Sequence, residues 1–256
     1  MTGTVGMEIA GQVATITLDR PDKLNAVTRE MARELDAIVA RCNSGDEVRC
    51  AILTGAGERA FCAGSDIRAL DEFDDLWSLR NREDYCAAIR RLRRPVIAAI
   101  NGYALGGGLE MAMGCDIRLA AEGARLGAPE IKLGWIGGGG MASLLSRSAG
   151  ASNAALMLMT GEPVEARRAA EWGLVSEVTA PEALLDRARE IAAAIAARAP
   201  IAAEHAKMNL DAAANMPARM AMQYELDLQA VAFATEDAAE GRRAFAEKRA
   251  PVFRRR

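Results

Sequence analysis

A chain of 256 residues, half of them hydrophobic and only 4% aromatic, can bury a sizeable core in one large domain, or one domain with a modest appendage. A formal net charge of −3 gives no global electrostatic case for nucleic-acid binding. The single histidine, His205, argues against serine-hydrolase triads and histidine-rich metal sites, so acids and bases must come from carboxylates.

Met1–Glu8 carries neither a basic region nor an apolar stretch of the kind a secretory signal needs. No run of about 18 uncharged apolar residues suggests a membrane span. Cys42, Cys50, Cys62, Cys86 and Cys115 are odd in number and lack zinc-site spacing. They read as buried free thiols in a reducing compartment, and the expectation is a cytoplasmic protein. The basic runs Arg90–Arg94 and Arg254-Arg255-Arg256 read as a solvated helix face and a solvated end, with a local phosphate contact as the alternative.

Met7–Leu18 alternates around Gly11-Gln12, which predicts a hairpin. Thr28 is a suitable N-cap for a helix through Cys42, with Met31, Leu35, Ile38 and Val39 on one face. Arg49–Thr54 reads as a short buried strand and Tyr85–Leu92 as a helix that stops before Pro95. Strand Val96–Ile100, helix Gly107–Met113 and strand Asp116–Ala120 follow. Beyond residue 140 the pattern is helical: Met141–Ala149, Ala151–Met159, Glu165–Trp172, Pro181–Ala199, Ala202–Ala214, Ala218–Ala234 and Glu236–Lys248. Only Leu174–Val178 interrupts it as a strand. Strands alternating with helices, then helices alone, indicate an α/β core over 1–199 and a helical region over 200–256, with a soft boundary and no internal sequence repeat.

Three segments carry candidate chemistry. In Ala60–Ile67 a strand runs into Ala63-Gly64-Ser65, Asp66 is placed to cap a helix, and the Ser65 N–H points out of the turn. An ordinary strand–helix connection is the alternative. In Asn101–Glu110 a triple glycine opens a helix whose first N–H groups have no internal partner and can face an oxyanion. Close helix packing also selects such glycines. Glu110 stands in an otherwise apolar helix, where a carboxylate must be hydrogen-bonded, paired or functional. In Leu126–Gly140, Glu130 follows Pro129 in a loop; by itself it could pair with Lys132 or cap a turn. The run Gly137-Gly138-Gly139-Gly140 lacks the Gly-Lys-Ser/Thr of a phosphate loop.

These residues resemble the enoyl-CoA hydratase/isomerase, or crotonase, superfamily. The matching pieces are Arg20-Pro21 with Asn25-Ala26, Ala60 through Ile67, Pro95 through Gly102, Gly106-Gly107-Gly108 with Glu110, Pro129-Glu130, and Phe245 with Glu247-Lys248-Arg249. They occur in register over nearly the whole chain. The resemblance implies a spiral of ββα units with a C-terminal helical region that forms trimers, commonly paired into hexamers. It implies a CoA thioester substrate and no tightly bound cofactor or metal. The oxyanion-hole N–H groups fall on Ser65 and Gly107. The two glutamates of family hydratases fall on Glu110 and Glu130, with Glu130 the proton donor to Cα. CoA contacts fall on Lys23, Leu24, Ala26, Ala63, Asp66 and Ile67, and on Phe245 and Lys248 across a subunit boundary.

The implied reaction is syn addition of water to a 2-enoyl-CoA, or its reversal. An isomerase needing one carboxylate is the alternative; an acyl-CoA-binding or RNA-associated scaffold is disfavoured by the acidity and the acid pair. One departure stands out. Gly137 replaces the family's proline and Met141-Ala142 a pair of small residues. That predicts a more flexible loop, a bulkier lining at Met141, and a substrate other than straight-chain crotonyl-CoA. Trp135 fits an acyl pocket or the core equally well.

Overall fold

The computed structural model describes residues 3–70 and 73–256; Met1 and Thr2, the start of the segment read above for a signal, lie outside them. Strands β1 (Thr4–Ala10) and β2 (Val13–Asp19) form the expected antiparallel hairpin. Gly11 and Gln12 both take positive φ, 56° and 64°, as a two-residue hairpin loop of this twist requires. Helix α1 (Arg29–Ser44) starts at the predicted cap, where the Thr28 hydroxyl accepts from the Met31 N–H at 3.2 Å. Met31, Leu35 and Val39 face the core, and Ile38 sits half-buried at the edge of that stripe.

Next come β3 (Cys50–Gly55), β4 (Ala60–Cys62), and the short helices α2 (Ile67–Leu70), α3 (Leu76–Arg80) and α4 (Tyr85–Arg90). Then follow β5 (Val96–Ile100), β6 (Tyr103–Leu105), α5 (Gly107–Met113), β7 (Ile117–Ala121) and β8 (Arg125–Gly127). The remainder is α6 (Met141–Ala149), α7 (Ala151–Thr160), β9 (Val164–Glu165), α8 (Ala166–Glu171), β10 (Glu177–Thr179), α9 (Leu184–Ala196), α10 (Pro200–Asn215), α11 (Ala218–Phe233) and α12 (Glu236–Ala246).

Two sheets organise the core. The larger has the order β1-β2-β3-β5-β7-β10 and the smaller β4-β6-β8-β9. Consecutive strands therefore divide between them: β3, β5 and β7 are parallel neighbours in one sheet, and β4, β6 and β8 are parallel neighbours in the other. After each short strand the chain enters a helical segment: α2, α5, and a 3₁₀ turn at Pro129–Leu133. This is the ββα spiral. The three steps are of unequal length, and the repeat is geometric with no periodicity in the sequence.

Both faces of the larger sheet are covered at its central strands β3 and β5, which are buried throughout and read as largely continuous apolar runs. Ile52, Ile97, Ala99 and Leu119 pack on α9. Leu53, Ala98, Ile100 and Ala120 face the main core with α1 and α5.

Several expectations are corrected. The Arg90–Arg94 run is a solvated face only in part: Arg90, Arg91 and Arg93 are exposed, but Arg94 is fully buried, ion-paired to Glu204 and bonded to backbone carbonyls of Cys42 and Gly45. Arg255 is also engaged, with Glu204 and Asp46, so the basic C-terminus is tied to the core. The strand expected at Leu174–Val178 lies at Glu177–Thr179, because Leu174 and Val175 are core residues ahead of it. Pro181-Glu182-Ala183 is a 3₁₀ turn, and the helix proper begins at Leu184.

Candidate active site

The smaller sheet gathers the three candidate segments. β4 ends at Cys62, β6 at Leu105 and β8 at Gly127, side by side and parallel. Ser65, Gly107 and Glu130 therefore emerge within three residues of the same sheet end. Ligand crevices of parallel sheets form at the carboxyl ends of the strands.

Ser65 pairs with Val27 in an isolated parallel bridge. The bridge uses the Gly64 carbonyl, which accepts from Val27 N–H at 2.8 Å, and the Asp66 N–H, which donates to the Val27 carbonyl at 2.9 Å. The Ser65 N–H is thereby turned away from Val27. Gly107 opens α5, where an N–H has no partner inside the helix. The two segments touch: a Cβ built on Gly64, at φ +93°, would lie 3.0 Å from the Gly107 nitrogen. Two backbone donors in one small region can hold a single oxygen anion.

Each residue of the triple glycine has its own steric reason. Gly106 sits at φ +54°, and a Cβ there would lie 3.0 Å from Glu130 Oε1. A Cβ on Gly107 would overlap the Tyr85 hydroxyl, and one on Gly108 the Cys62 carbonyl. The motif lets α5 approach the strand end and keeps the space over its first turn open.

Glu110 is buried on α5. Its Oε1 accepts from the Gly139 N–H at 2.7 Å and the Met141 N–H at 3.2 Å, at the start of α6, where the helix dipole favours negative charge. Burial raises its pKa; the two N–H donors, and Arg90, oppose that rise. Glu130 is buried in the 3₁₀ turn, and its Oε2 has no hydrogen-bond partner. Burial raises its pKa as well, and the nearby Glu110 charge adds to the rise. Lys132 does not pair with it, bonding instead to Glu162 at 2.7 Å. Both carboxylates face Gly137. A Cβ there would lie 2.8 Å from Glu110 Oε1 and 3.4 Å from Glu130 Oε1. The arrangement can activate and protonate on one face of a bound carbon chain.

The other predicted positions divide into two groups. Leu24, Ala26, Ala63 and Asp66 line up along the strand end: Ala63 N–H donates to the Leu24 carbonyl at 2.9 Å, and Arg20 bonds both Asp66, at 2.6 Å, and the Ala26 carbonyl. Asn25 ties this loop down through the Ala56 and Ala60 carbonyls. Lys23 and Ile67 flank it, exposed. Phe245, at 88% exposure, and Lys248 belong to the α12 region, and neither lines the cavity beside Ser65. The five cysteines are buried and unpaired, as expected. Met141 is also buried, so its bulk enters the core instead of lining an open pocket. Trp135 is 40% exposed and its N–H closes the turn on the Glu130 carbonyl; it does not line that cavity.

Three neighbours escaped sequence reasoning. Tyr85 shares a 3.0 Å hydrogen bond with the Ser65 hydroxyl. Cys86 Sγ lies 3.3 Å from the Gly107 carbonyl. Arg90 donates to the Gly139 carbonyl at 2.6 Å and so anchors the glycine loop over Glu110. Helix α4 was legible, but nothing in its sequence says that it packs on α5.

Comparison with known proteins supplies the family. The sequence profile described as enoyl-CoA hydratase/isomerase matches residues 8–256. The chain is 38% identical over 252 residues to an (E)-benzylidenesuccinyl-CoA hydratase of Thauera aromatica, covering 98% of each chain. It is 38% identical over 246 residues to a short-chain-enoyl-CoA hydratase of Clostridium acetobutylicum, covering 95% of this chain and 94% of the relative. A crystal structure of an enoyl-CoA hydratase from Bacillus anthracis superposes with a TM-score of 0.93 at 35% identity, covering 99% of this chain and 100% of that one. The chain belongs to the enoyl-CoA hydratase/isomerase, or crotonase, superfamily.

Proposed function

We propose that this protein is an enoyl-CoA hydratase that adds water across a 2-enoyl-CoA thioester, or removes it from the 3-hydroxyacyl product. One observation carries the reading: two buried glutamates converge on the space at Gly137, one held by two N–H groups and the other with a free oxygen. An isomerase needs one carboxylate, whereas adding water needs a base for the water and an acid for carbon.

In this mechanism the thioester oxygen accepts hydrogen bonds from the Ser65 and Gly107 N–H groups, which draws charge out of the C2–C3 double bond. Glu110, stabilised as a carboxylate by Gly139 and Met141, takes a proton from a water molecule. The water oxygen bonds to C3, the π electrons move onto the thioester as an enolate, and Glu130 delivers its proton to C2. One O–H bond and one π bond break; one C–O and one C–H bond form. The glutamates then exchange the proton through solvent. The environments favour this division, because Glu130 lacks the pair of backbone donors that Glu110 has and also feels its neighbour's charge.

The CoA moiety lies along Lys23, Leu24, Ala26, Ala63, Asp66 and Ile67. Phe245 and Lys248 reach the CoA of an adjoining subunit. Exposed apolar residues on α10 and α11, among them Leu210, Met222, Leu226 and Phe233, support assembly into trimers or hexamers. Among the described residues no helix is long and apolar enough to cross a membrane, and no His/Cys/Asp/Glu cluster is arranged for a metal ion.

The test is Glu110→Gln and Glu130→Gln. Each should lose hydration by at least about 10²-fold while retaining acyl-CoA binding. A nearly silent Glu110→Gln, with double-bond migration as the product, would point to an isomerase.

A further inference from the structure

Gly137 through Gly140 are four consecutive glycines, a run that loses much backbone entropy when held in one conformation. Yet Glu110 depends on this loop, because its shorter hydrogen bond, at 2.7 Å, comes from the Gly139 N–H. Its other donor, the Met141 N–H at 3.2 Å, is fixed by the start of α6. Ile136, Gly137 and Gly138 make no hydrogen bond among the described residues. A glycine tethered to Glu110 alone would follow the carboxylate instead of holding it. The loop therefore needs an anchor that is independent of Glu110.

Arg90 supplies it. Its Nη1 donates to the Gly139 carbonyl at 2.6 Å, so this one glycine is held from both sides. The guanidinium is itself oriented: Nη2 lies 3.6 Å from Asp84 Oδ2, while Asp84 Oδ1 accepts from the Cys86 and Ala87 N–H groups that open α4. The Arg90 stem runs past the end of α5, where a Cβ built on Gly114 would lie 3.3 Å from its Cγ. A line of contacts thus leads from Asp84 through Arg90 and Gly139 to Glu110. No side chain could replace the backbone link, because a Cβ on Gly139 would lie 2.5 Å from Glu110 Oε2.

The groups around Glu110 decide how it holds a proton. Burial favours the neutral acid, the Gly139 and Met141 donors oppose it, Asp84 adds to it and Arg90 opposes it. Glu130 faces Glu110 at Gly137. Cys86 Sγ lies 3.8 Å from Glu110 Oε2, and burial keeps both this thiol and the Tyr85 phenol neutral. Arg90 is the cation of this set. It acts twice, by its charge and by fixing the Gly139 donor.

We infer that Arg90 is a positioning residue for the reaction: by pinning Gly139 it fixes the Glu110 carboxylate in place to take a proton from water. It acts through Gly139 and not on the substrate. The inference rests on the reading of Glu110 as the base, and the test below separates the two.

Arg90→Met keeps an apolar stem beside Gly114 and removes the guanidinium at a position 37% exposed, so the fold should survive. Loss of the anchor should lower kcat at least about 10-fold, with a smaller change in KM. The acid limb of kcat/KM, which reports the free enzyme's base, should move to higher pH. Arg90→Lys, which keeps a charge and a donor, should recover most of both effects. A second readout needs no turnover: infrared titration of ligand-free protein, following the carboxyl band that Glu110→Gln abolishes. Its midpoint should also move to higher pH in Arg90→Met. An unmoved midpoint overturns the inference, as does a fall in kcat that leaves the acid limb where it was. If the midpoint moves and wild-type protein hydrates no enoyl thioester, the hydratase reading fails and the positioning of Glu110 by Arg90 stands.

Discussion

Glu110 and Glu130 face one another across Gly137. A Cβ on this glycine would come within 2.8 Å of Glu110 Oε1 and equally close to Met141 Cβ. Glu110 cannot retreat freely, since Gly139 and Met141 hold the same oxygen. The substitution Gly137→Ala should therefore misplace the carboxylate and lower kcat by about 10²-fold, with a smaller change in KM. Steady-state kinetics on the preferred enoyl thioester checks this.

A second expectation concerns stability. Burial raises the folded-state pKa of Glu130, so the folded protein holds this proton more tightly than the unfolded chain. The sign follows from linkage: Glu130 destabilises the fold increasingly as pH rises from the ordinary glutamate value, near ~4.3, through the raised folded value. Glu130→Gln should raise the melting temperature at neutral pH, by about 2–4 °C per kcal/mol relieved. The gain should vanish in acid. Thermal melts of both proteins across pH give the comparison.

How much of this was legible in sequence can be judged residue by residue. Thr28, Gly11-Gln12 and the period-3.6 stripe of α1 announced their structures, because caps, tight turns and amphipathic helices leave local marks. The Gly106-Gly107-Gly108 motif with Glu110 and the Pro129-Glu130 turn were also readable. Strands β6, β8 and β9, two or three residues each, were missed because so short a segment has no periodicity to detect. That omission hid the smaller sheet, which brings Ser65, Gly107 and Glu130 together. The contact of Tyr85 with Ser65 was equally hidden, since it joins residues 20 apart through packing of α4 on α5.

The buried ion pair of Arg94 with Glu204 joins the core to α10, and Arg255 approaches the same carboxylate at 3.0 Å. Burial foremost, then the charges of Arg255 and Arg93, lower the Arg94 pKa to about 10. Removing the carboxylate leaves the buried guanidinium unpaired, and loss of one partner of such a pair costs about 3–5 kcal/mol. Glu204→Ala should show that loss in denaturant unfolding, whereas Glu162→Ala, at an exposed pair with Lys132, should cost at most about 1 kcal/mol.

The thiols offer a simple check on the core. Cys50, Cys62 and Cys115 are pushed up to about 12, in each case mainly by burial, and thiolate is the reactive form. None of the five should react with a disulfide reagent in native protein near neutral pH within minutes. All five should react in denaturant. Rapid labelling of one native thiol would show that its segment opens.

The central claim is that two carboxylates add water to carbon. Turnover of a 2-enoyl-CoA in heavy-oxygen water, with the product analysed by mass spectrometry, addresses it directly. The account predicts a 3-hydroxyacyl-CoA carrying one solvent oxygen at C3, and loss of that product in both Glu110→Gln and Glu130→Gln. A double-bond isomer free of solvent oxygen, formed by the wild-type protein as the main product, would contradict it.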